Sequence, residues 1–287
     1  MDRRIRLNDG RALGFAEYGD RDGKPVFYFH GFPGSRVEAG IAGPTAAQVG
    51  VRLIAVDRPG FGLSDFKTGR RIGDWAGDVA ALADGLGLER FAALGVSGGG
   101  PYLSACALRL GDRLTAAAVF CGLGPVSDPG ATEGMIRYNR LGLRLAGRLP
   151  WSAGPLVRIV ATAMRAAPER AVAHLARQLP QVDRALLEDS ELRGVFVEAY
   201  REALRQGARG AARELVLFSR PWDFRLEQIG MPVHLWHGEL DTIVPPALAR
   251  LQQRALPECR ARFFLKEGHF SVVVHHLREM LEMLAGE

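Results

Sequence analysis

Cysteine is nearly absent from this chain. Cys106, Cys121 and Cys259 are the three it has, they lie far apart, and no Cys-x-x-Cys pair exists. An odd number of scattered thiols excludes a disulfide framework and the usual thiolate sets that hold zinc. Lysine is confined to Lys24, Lys67 and Lys266, so arginine carries nearly all the positive charge. No apolar run approaches the roughly 18 residues that a spanning helix needs. The opening Met1-Asp2-Arg3-Arg4-Ile5-Arg6 has neither the apolar stretch nor the small-residue cleavage site of a secretory signal. The reading is a cytoplasmic protein with free thiols, no metal and no cofactor. Gly98-Gly99-Gly100-Pro101 is not the GxGxxG of a dinucleotide site, and no basic stripe interleaved with aromatics supports nucleic-acid binding.

What is there is ordinary globular material: 287 residues, 47% hydrophobic and 24% charged, enough for one α/β core carrying an insertion. The net charge of +5 is localised. Residues 131–215 hold 14 arginines against 9 acids, and the rest of the chain balances. Arg137, Arg140, Arg144 and Arg148 recur at helical spacing on one face; a solvated face is the leading reading, an anionic surface or substrate the other.

Arg3–Leu7 and Ala12–Tyr18 read as a hairpin around Asn8-Asp9-Gly10. Short β-rich runs follow at 26–29, 52–56, 91–94 and 115–120, alternating with helical segments at 75–86 and 101–110. Each run ends in a loop rich in glycine, proline and polar residues. This alternation predicts βαβ units and a mostly parallel sheet, whose strand ends are where ligands bind. From Pro125 to Arg220 the pattern turns to helices without strands, expected at 132–149, 154–166, 168–179 and 190–206, the last with Ser190 as N-cap. Strands resume at 233–236 and 261–265, followed by a closing helix over 271–284. The expected organisation is a core of residues 1–124 and 221–287 with an all-helical cap of residues 125–220.

Gly95-Val96-Ser97-Gly98-Gly99 sits between the run ending at Leu94 and the next helix. A serine projected from so tight a turn needs flanking residues without a Cβ and adopts a strained, positive φ. A serine hydroxyl also needs a base, and the base an orienting group. His269, beside Gly268 in the loop after Leu265, is the candidate base. His174, His275 and His276 fall on helices, and His234 and His237 in or at a strand. Asp241, in the loop after Trp236, is the candidate orienting carboxylate, in competition with Glu239, Asp223 and Asp57. The Gly98 N–H and the Phe32 N–H, in His30-Gly31-Phe32-Pro33-Gly34, are the expected oxyanion donors. Phe32, Cys121 and Trp222 are the expected border of an apolar substrate pocket.

Five stretches, HGFPG (30–34), DRPGFGLSD (57–65), GVSGGGP (95–101), HGELDTIVP (237–245) and GHF (268–270), resemble the α/β-hydrolase superfamily and, within it, capped esterase-like members. The resemblance spans essentially the whole chain. It implies an eight-stranded sheet, a lid after the sixth strand, a Ser97–Asp241–His269 triad and a cis bond before Pro33. Similar HGxP loops occur in epoxide hydrolases, which use an aspartate nucleophile where this chain has Ser97, and peptidase loops of the HGGPG type differ at Phe32. The implied activity is hydrolysis of an ester-type bond in a small, largely apolar substrate. The same triad also serves C–C bond hydrolases and lactonases, and the scaffold also hosts non-catalytic ligand receptors.

Overall fold

In the computed structural model, residues 2–128 and 130–286 are described; Met1, Pro129 and Glu287, which fall within the expected core and cap segments, lie outside the described residues. The strands are β1 (Asp2–Arg6), β2 (Ala12–Gly19), β3 (Lys24–Phe29), β4 (Val51–Val56), β5 (Phe91–Val96), β6 (Leu114–Phe120), β7 (Val233–Gly238) and β8 (Cys259–Phe264). They form one eight-stranded sheet in the order β1-β2-β4-β3-β5-β6-β7-β8. β1 and β2 form the expected hairpin, with Gly10 at φ +83°, and β2 pairs antiparallel with β4. From β4 onward every pairing is parallel.

Strand side chains alternate between two faces, and the two faces bury different helices. Phe27, Phe29, Ile54, Val56 and Phe91 join Trp75 and Leu82 of α2 (Trp75–Gly85), with α1 (Gly43–Gln48) on the opposite side. The same layer takes Leu103 of α3 (Gly100–Arg109) and, after the insertion, Leu248 of α10 (Pro246–Ala255). Val26, Tyr28, Leu53, Ala55 and Leu94 face the other way, onto Ala46 of α1 and onto Val272, Met280 and Leu281 of α11 (His269–Gly286). Central strands apolar on both faces are what a sheet covered on both sides requires.

Among the described residues six α-helices lie between β6 and β7: α4 (Arg137–Arg148), α5 (Ala153–Ala166), α6 (Pro168–Ala176), α7 (Gln181–Glu188), α8 (Ser190–Ala203) and α9 (Arg209–Phe218). α5 to α9 share an apolar cluster that includes Val157, Val172, Leu187, Val197 and Tyr200, while α4 buries Leu143 in the core layer and Ala146 against Val216 of α9. α4 starts at Arg137 rather than at Thr132, because the Ile136 N–H is drawn to the Thr242 carbonyl at 2.8 Å and the chain there is extended. Asp189, not Ser190, caps α8: its Oδ1 accepts the Glu191 and Leu192 N–H groups at 2.8 and 2.9 Å. α7 and α9 were not expected. α7 is only eight residues long, and α9 buries Glu214, which breaks the apolar stripe that would have revealed it. Of the four arginines of α4, Arg137, Arg144 and Arg148 are exposed and Arg140 is half-buried. No helix among the described residues is long and apolar enough to cross a membrane.

Candidate active site

Ser97 leaves the end of β5 with φ +51°, in the strained turn its flanking glycines permit. A Cβ at Gly95 would lie 2.7 Å from the Gly99 carbonyl oxygen, and one at Gly99 would lie 2.1 Å from that of Phe29, so both positions need the smallest residue. His269, 172 residues later, opens α11 and turns its Nε2 to within 3.0 Å of the Ser97 Oγ. Its Nδ1 lies 2.7 Å from Asp241 Oδ2, so a proton on Nδ1 is donated to the carboxylate and Nε2 is left to accept the serine hydroxyl. Asp241 is itself held by the Ile243 and Val244 N–H groups, each 2.8 Å from Oδ1. All three side chains are buried, Ser97 at 8% exposure. Burial disfavours a charged imidazole, but the facing Asp241 carboxylate outweighs it, and the His269 pKa is raised well above its ordinary value.

The competing carboxylates have other partners. Asp57 orders its loop by accepting the Arg36 and Leu63 N–H groups, Asp223 accepts the Gly73 N–H, and Glu239 pairs with Arg250. His237 donates from Nε2 to the Val244 carbonyl at 2.8 Å, a structural bond. The Phe32–Pro33 bond is cis. A Cβ built at Gly98 would lie 3.2 Å from the Phe32 nitrogen, so the two peptide groups are neighbours, and among the described residues neither N–H has an acceptor. Paired donors without partners beside a serine are what a developing oxyanion needs.

The expected pocket residues separate. Phe32 lies where the helical cluster meets the core, edge-on to Phe218 at 5.3 Å. Cys121 is fully buried, its Sγ 4.0 Å from His269 Nε2, so it packs beneath the imidazole rather than bordering an open pocket. Burial, chiefly, raises its thiol pKa. Trp222 packs on Phe224 and on the core layer that holds α2 and α3, and no hydrogen bond or ring contact joins it to Ser97, Asp241 or His269 among the described residues. Cys121, Asp241 and His269 also form the one cluster of possible metal ligands among the described residues. His269 and Asp241 are engaged with each other and with Ser97, and a buried neutral thiol is a poor ligand, so this donor set does not fit a resident metal.

Several residues that position the site were not legible in the sequence. Asp183 of α7, fully buried, accepts the N–H groups of His269 (2.7 Å), Phe270 (3.1 Å) and Ser271 (2.9 Å), and so caps α11 at the histidine from a different segment. Arg58 donates to the His30 and Gly31 carbonyls and, through both Nε and Nη2, to Glu214 of α9. Arg70 and the Tyr102 hydroxyl complete the shell of that carboxylate at 2.9 and 2.7 Å. Burial works against the Glu214 charge, but the two guanidinium groups overcome it and pull the pKa down to about 2. Glu38 accepts the Gly31 N–H and the Tyr28 hydroxyl on the far side of the same loop.

A family model described as alpha/beta hydrolase fold matches residues 24–276. The chain is 28% identical over 252 residues to a non-heme chloroperoxidase of Streptomyces lividans, covering 85% of this chain and 83% of that protein. Among solved structures it is similar to an esterase from Exiguobacterium antarcticum (TM-score 0.71, 19% identity, 100% and 98% of the two chains). It is also similar to an enol-lactonase from Burkholderia xenovorans LB400 (TM-score 0.70, 19% identity, 99% and 100%). With the eight-stranded sheet and a family match over nearly its whole length, this chain belongs to the α/β-hydrolase fold family.

Proposed function

We propose that this protein is a serine hydrolase that cleaves an ester-type bond of a small, largely apolar substrate through an acyl-enzyme. The observation that carries the reading is His269 bridging Ser97 and Asp241 at 3.0 and 2.7 Å. In this scheme Ser97 Oγ attacks the substrate carbonyl while His269 Nε2 takes its proton. The Phe32 and Gly98 N–H groups receive the charge that forms on the carbonyl oxygen. His269 then returns the proton to the leaving alcohol, and the acyl group stays on Ser97 as an ester. Water, deprotonated by the same nitrogen, attacks that ester, releases the acid and restores the serine. Asp241 keeps Nδ1 protonated throughout and stabilises the imidazolium.

The helices between β6 and β7 act in this reading as a cap over the site. Phe32, Phe196, Leu215, Ile243 and Phe270 join their apolar cluster, and Phe270 stands edge-on to His269 with ring centroids 5.4 Å apart. Such a lining favours an aliphatic or aromatic acyl group over a charged one. The experiment is labelling with a serine-reactive phosphonate, followed by turnover of p-nitrophenyl esters of increasing chain length and of simple lactones. We expect wild-type labelling that Ser97→Ala abolishes, with ester turnover exceeding lactone turnover. Equal labelling of Ser97→Ala would refute the nucleophile, and preference for lactones would refute the substrate class.

A further inference from the structure

Among the described residues the exposed large apolar side chains are concentrated in one place. Tyr138, Leu141, Leu149, Trp151, Ile159 and Val160 lie on α4, on α5 and in the turn between them, and only Leu240 and Leu265 lie elsewhere. Trp151 is 73% and Ile159 68% exposed. On α4 and its C-cap residue, positions 138, 141, 145 and 149 recur every three or four residues and form one stripe, while Leu143 and Ala146 are the residues the helix buries, on a different face. α5 likewise buries Val157, Ala161 and Met164 and turns Ile159 and Val160 outward. Isolated apolar residues on a surface are normal, but a collected set marks an interaction site.

The charge around this set has one sign. From Gly134 to Pro168 the sequence contains no aspartate, glutamate or lysine, and every charge is an arginine. Arg137, Arg144, Arg148 and Arg158 are exposed, and none of the four has an ion-pair partner among the described residues. α8 shows what a solvated face looks like: its arginines are paired, Arg201 with Glu198 along the helix and Arg193 with Glu169 of α6. Solvation accounts for the arginines of α4 and α5, but not for tryptophan, leucine and isoleucine standing free beside them. A second copy of the chain is a poor occupant. A two-fold interface would set the same arginines against each other with no acid in the segment to pair with them.

We propose that the α4–α5 face docks on the surface of an anionic lipid bilayer. Tyr138, Leu141, Trp151 and Ile159 enter the headgroup boundary, where aromatic rings and aliphatic chains gain by leaving water. The arginines lay their stems along this apolar surface and pair with lipid phosphates. The docking is independent of the reaction performed at Ser97.

The test is flotation of the full chain with vesicles of phosphatidylcholine alone and of phosphatidylcholine mixed with phosphatidylglycerol. The protein is expected to float with the mixed vesicles, to be released by salt, and to ignore the neutral ones. Arg144→Glu with Arg148→Glu should weaken binding by more than about twenty-five-fold, taking about fivefold for each cation removed. Trp151→Ser with Ile159→Ser should also abolish flotation, and both double variants should keep the wild-type circular dichroism melt and ester turnover, since all four residues are exposed. Failure to float with anionic vesicles, or unchanged binding by either double variant, overturns the proposal. So does a dimer in light scattering that the same substitutions dissociate, which would assign the face to a second copy. Binding to a soluble polyanion without binding to vesicles would assign it to an acidic macromolecule and equally overturn the proposal.

Discussion

Replacing Asp183 by alanine removes the one acceptor that holds three successive N–H groups at the start of α11, 2.7 to 3.1 Å away, in a site closed to solvent. A Cβ at Gly268 would come within 2.3 Å of the same carboxylate, so the histidine loop is moulded around it. Each stranded donor costs at least about 1 kcal/mol when buried, giving a stability loss of about 3 kcal/mol if little water enters. That predicts a fall in Tm of about 6–12 °C for a chain of this size. Catalysis should suffer more than stability, because His269 is the first residue of the loosened helix. A displacement of about 1 Å at the base is worth about 10²-fold in rate. The assay is ester turnover of Asp183→Ala well below its melting temperature, with Asp183→Asn in parallel. Because Asp183 touches no substrate in this scheme, kcat should fall about 10²-fold with KM nearly unchanged, and asparagine, which keeps one acceptor oxygen, should restore part of the loss. If Asp183→Ala is folded and keeps kcat within about threefold of wild type, the positioning role is wrong.

Other consequences follow from the same contacts. In the proposed mechanism His269 must be neutral to act as base, and its pKa is raised, so kcat/KM should fall with decreasing pH along a limb whose midpoint lies above the ordinary 6.5; a midpoint at or below that value would contradict the Asp241 contact. Asp241→Asn should cut kcat by about 10³–10⁴-fold at pH 7 with normal folding by circular dichroism, since the amide no longer holds the proton on Nδ1. Glu214→Gln should destabilise the fold by about 3–5 kcal/mol in urea titrations, because it strands Arg58 and Arg70 in the core. With a folded-state pKa of about 2 against an ordinary 4.5, the Glu214 contribution is full above pH 4.5 and is lost as pH falls through about 2. Acid unfolding of wild type and Glu214→Gln should therefore converge at the lowest pH reached.

Much of this was written locally in the chain. Ser97, Asp241 and His269 each come shortly after the end of a parallel strand (β5, β7 and β8) with glycine nearby, and strand ends of a parallel sheet share one rim, so three distant residues could be placed together without coordinates. Asp183 could not be found that way. In the sequence it looks like Asp189 six positions later, yet Asp189 caps its own helix while Asp183 caps a helix that begins 86 residues further on. The role of a carboxylate is fixed by what meets it in space, and no periodicity carries that information. The buried arginines were hidden for a related reason. Composition places arginine on the surface, whereas Arg36, Arg58 and Arg70 are buried to within 2% of full exclusion.

Those buried charges change how the insertion is understood. Glu202 of α8 pairs with Arg36, which also holds Asp57 at the end of β4. Glu214 of α9 pairs with Arg58, which grips the carbonyls of His30 and Gly31, next to Phe32. Asp183 of α7 seats His269. Buried ion pairs add little net stability compared with apolar packing, so their presence here is poorly explained by stability alone. What they supply is direction: a guanidinium fork accepts a carboxylate in few geometries, whereas an apolar contact tolerates sliding. Two of the three anchors end on segments that carry Phe32 and His269, the groups proposed to receive the oxyanion and the proton. Removing the insertion should therefore do more than uncover the serine. In the proposed mechanism it would leave the loop that carries Phe32 and the histidine without the charges that aim them, so that α7 to α9 would belong to the catalytic frame as well as to its cover.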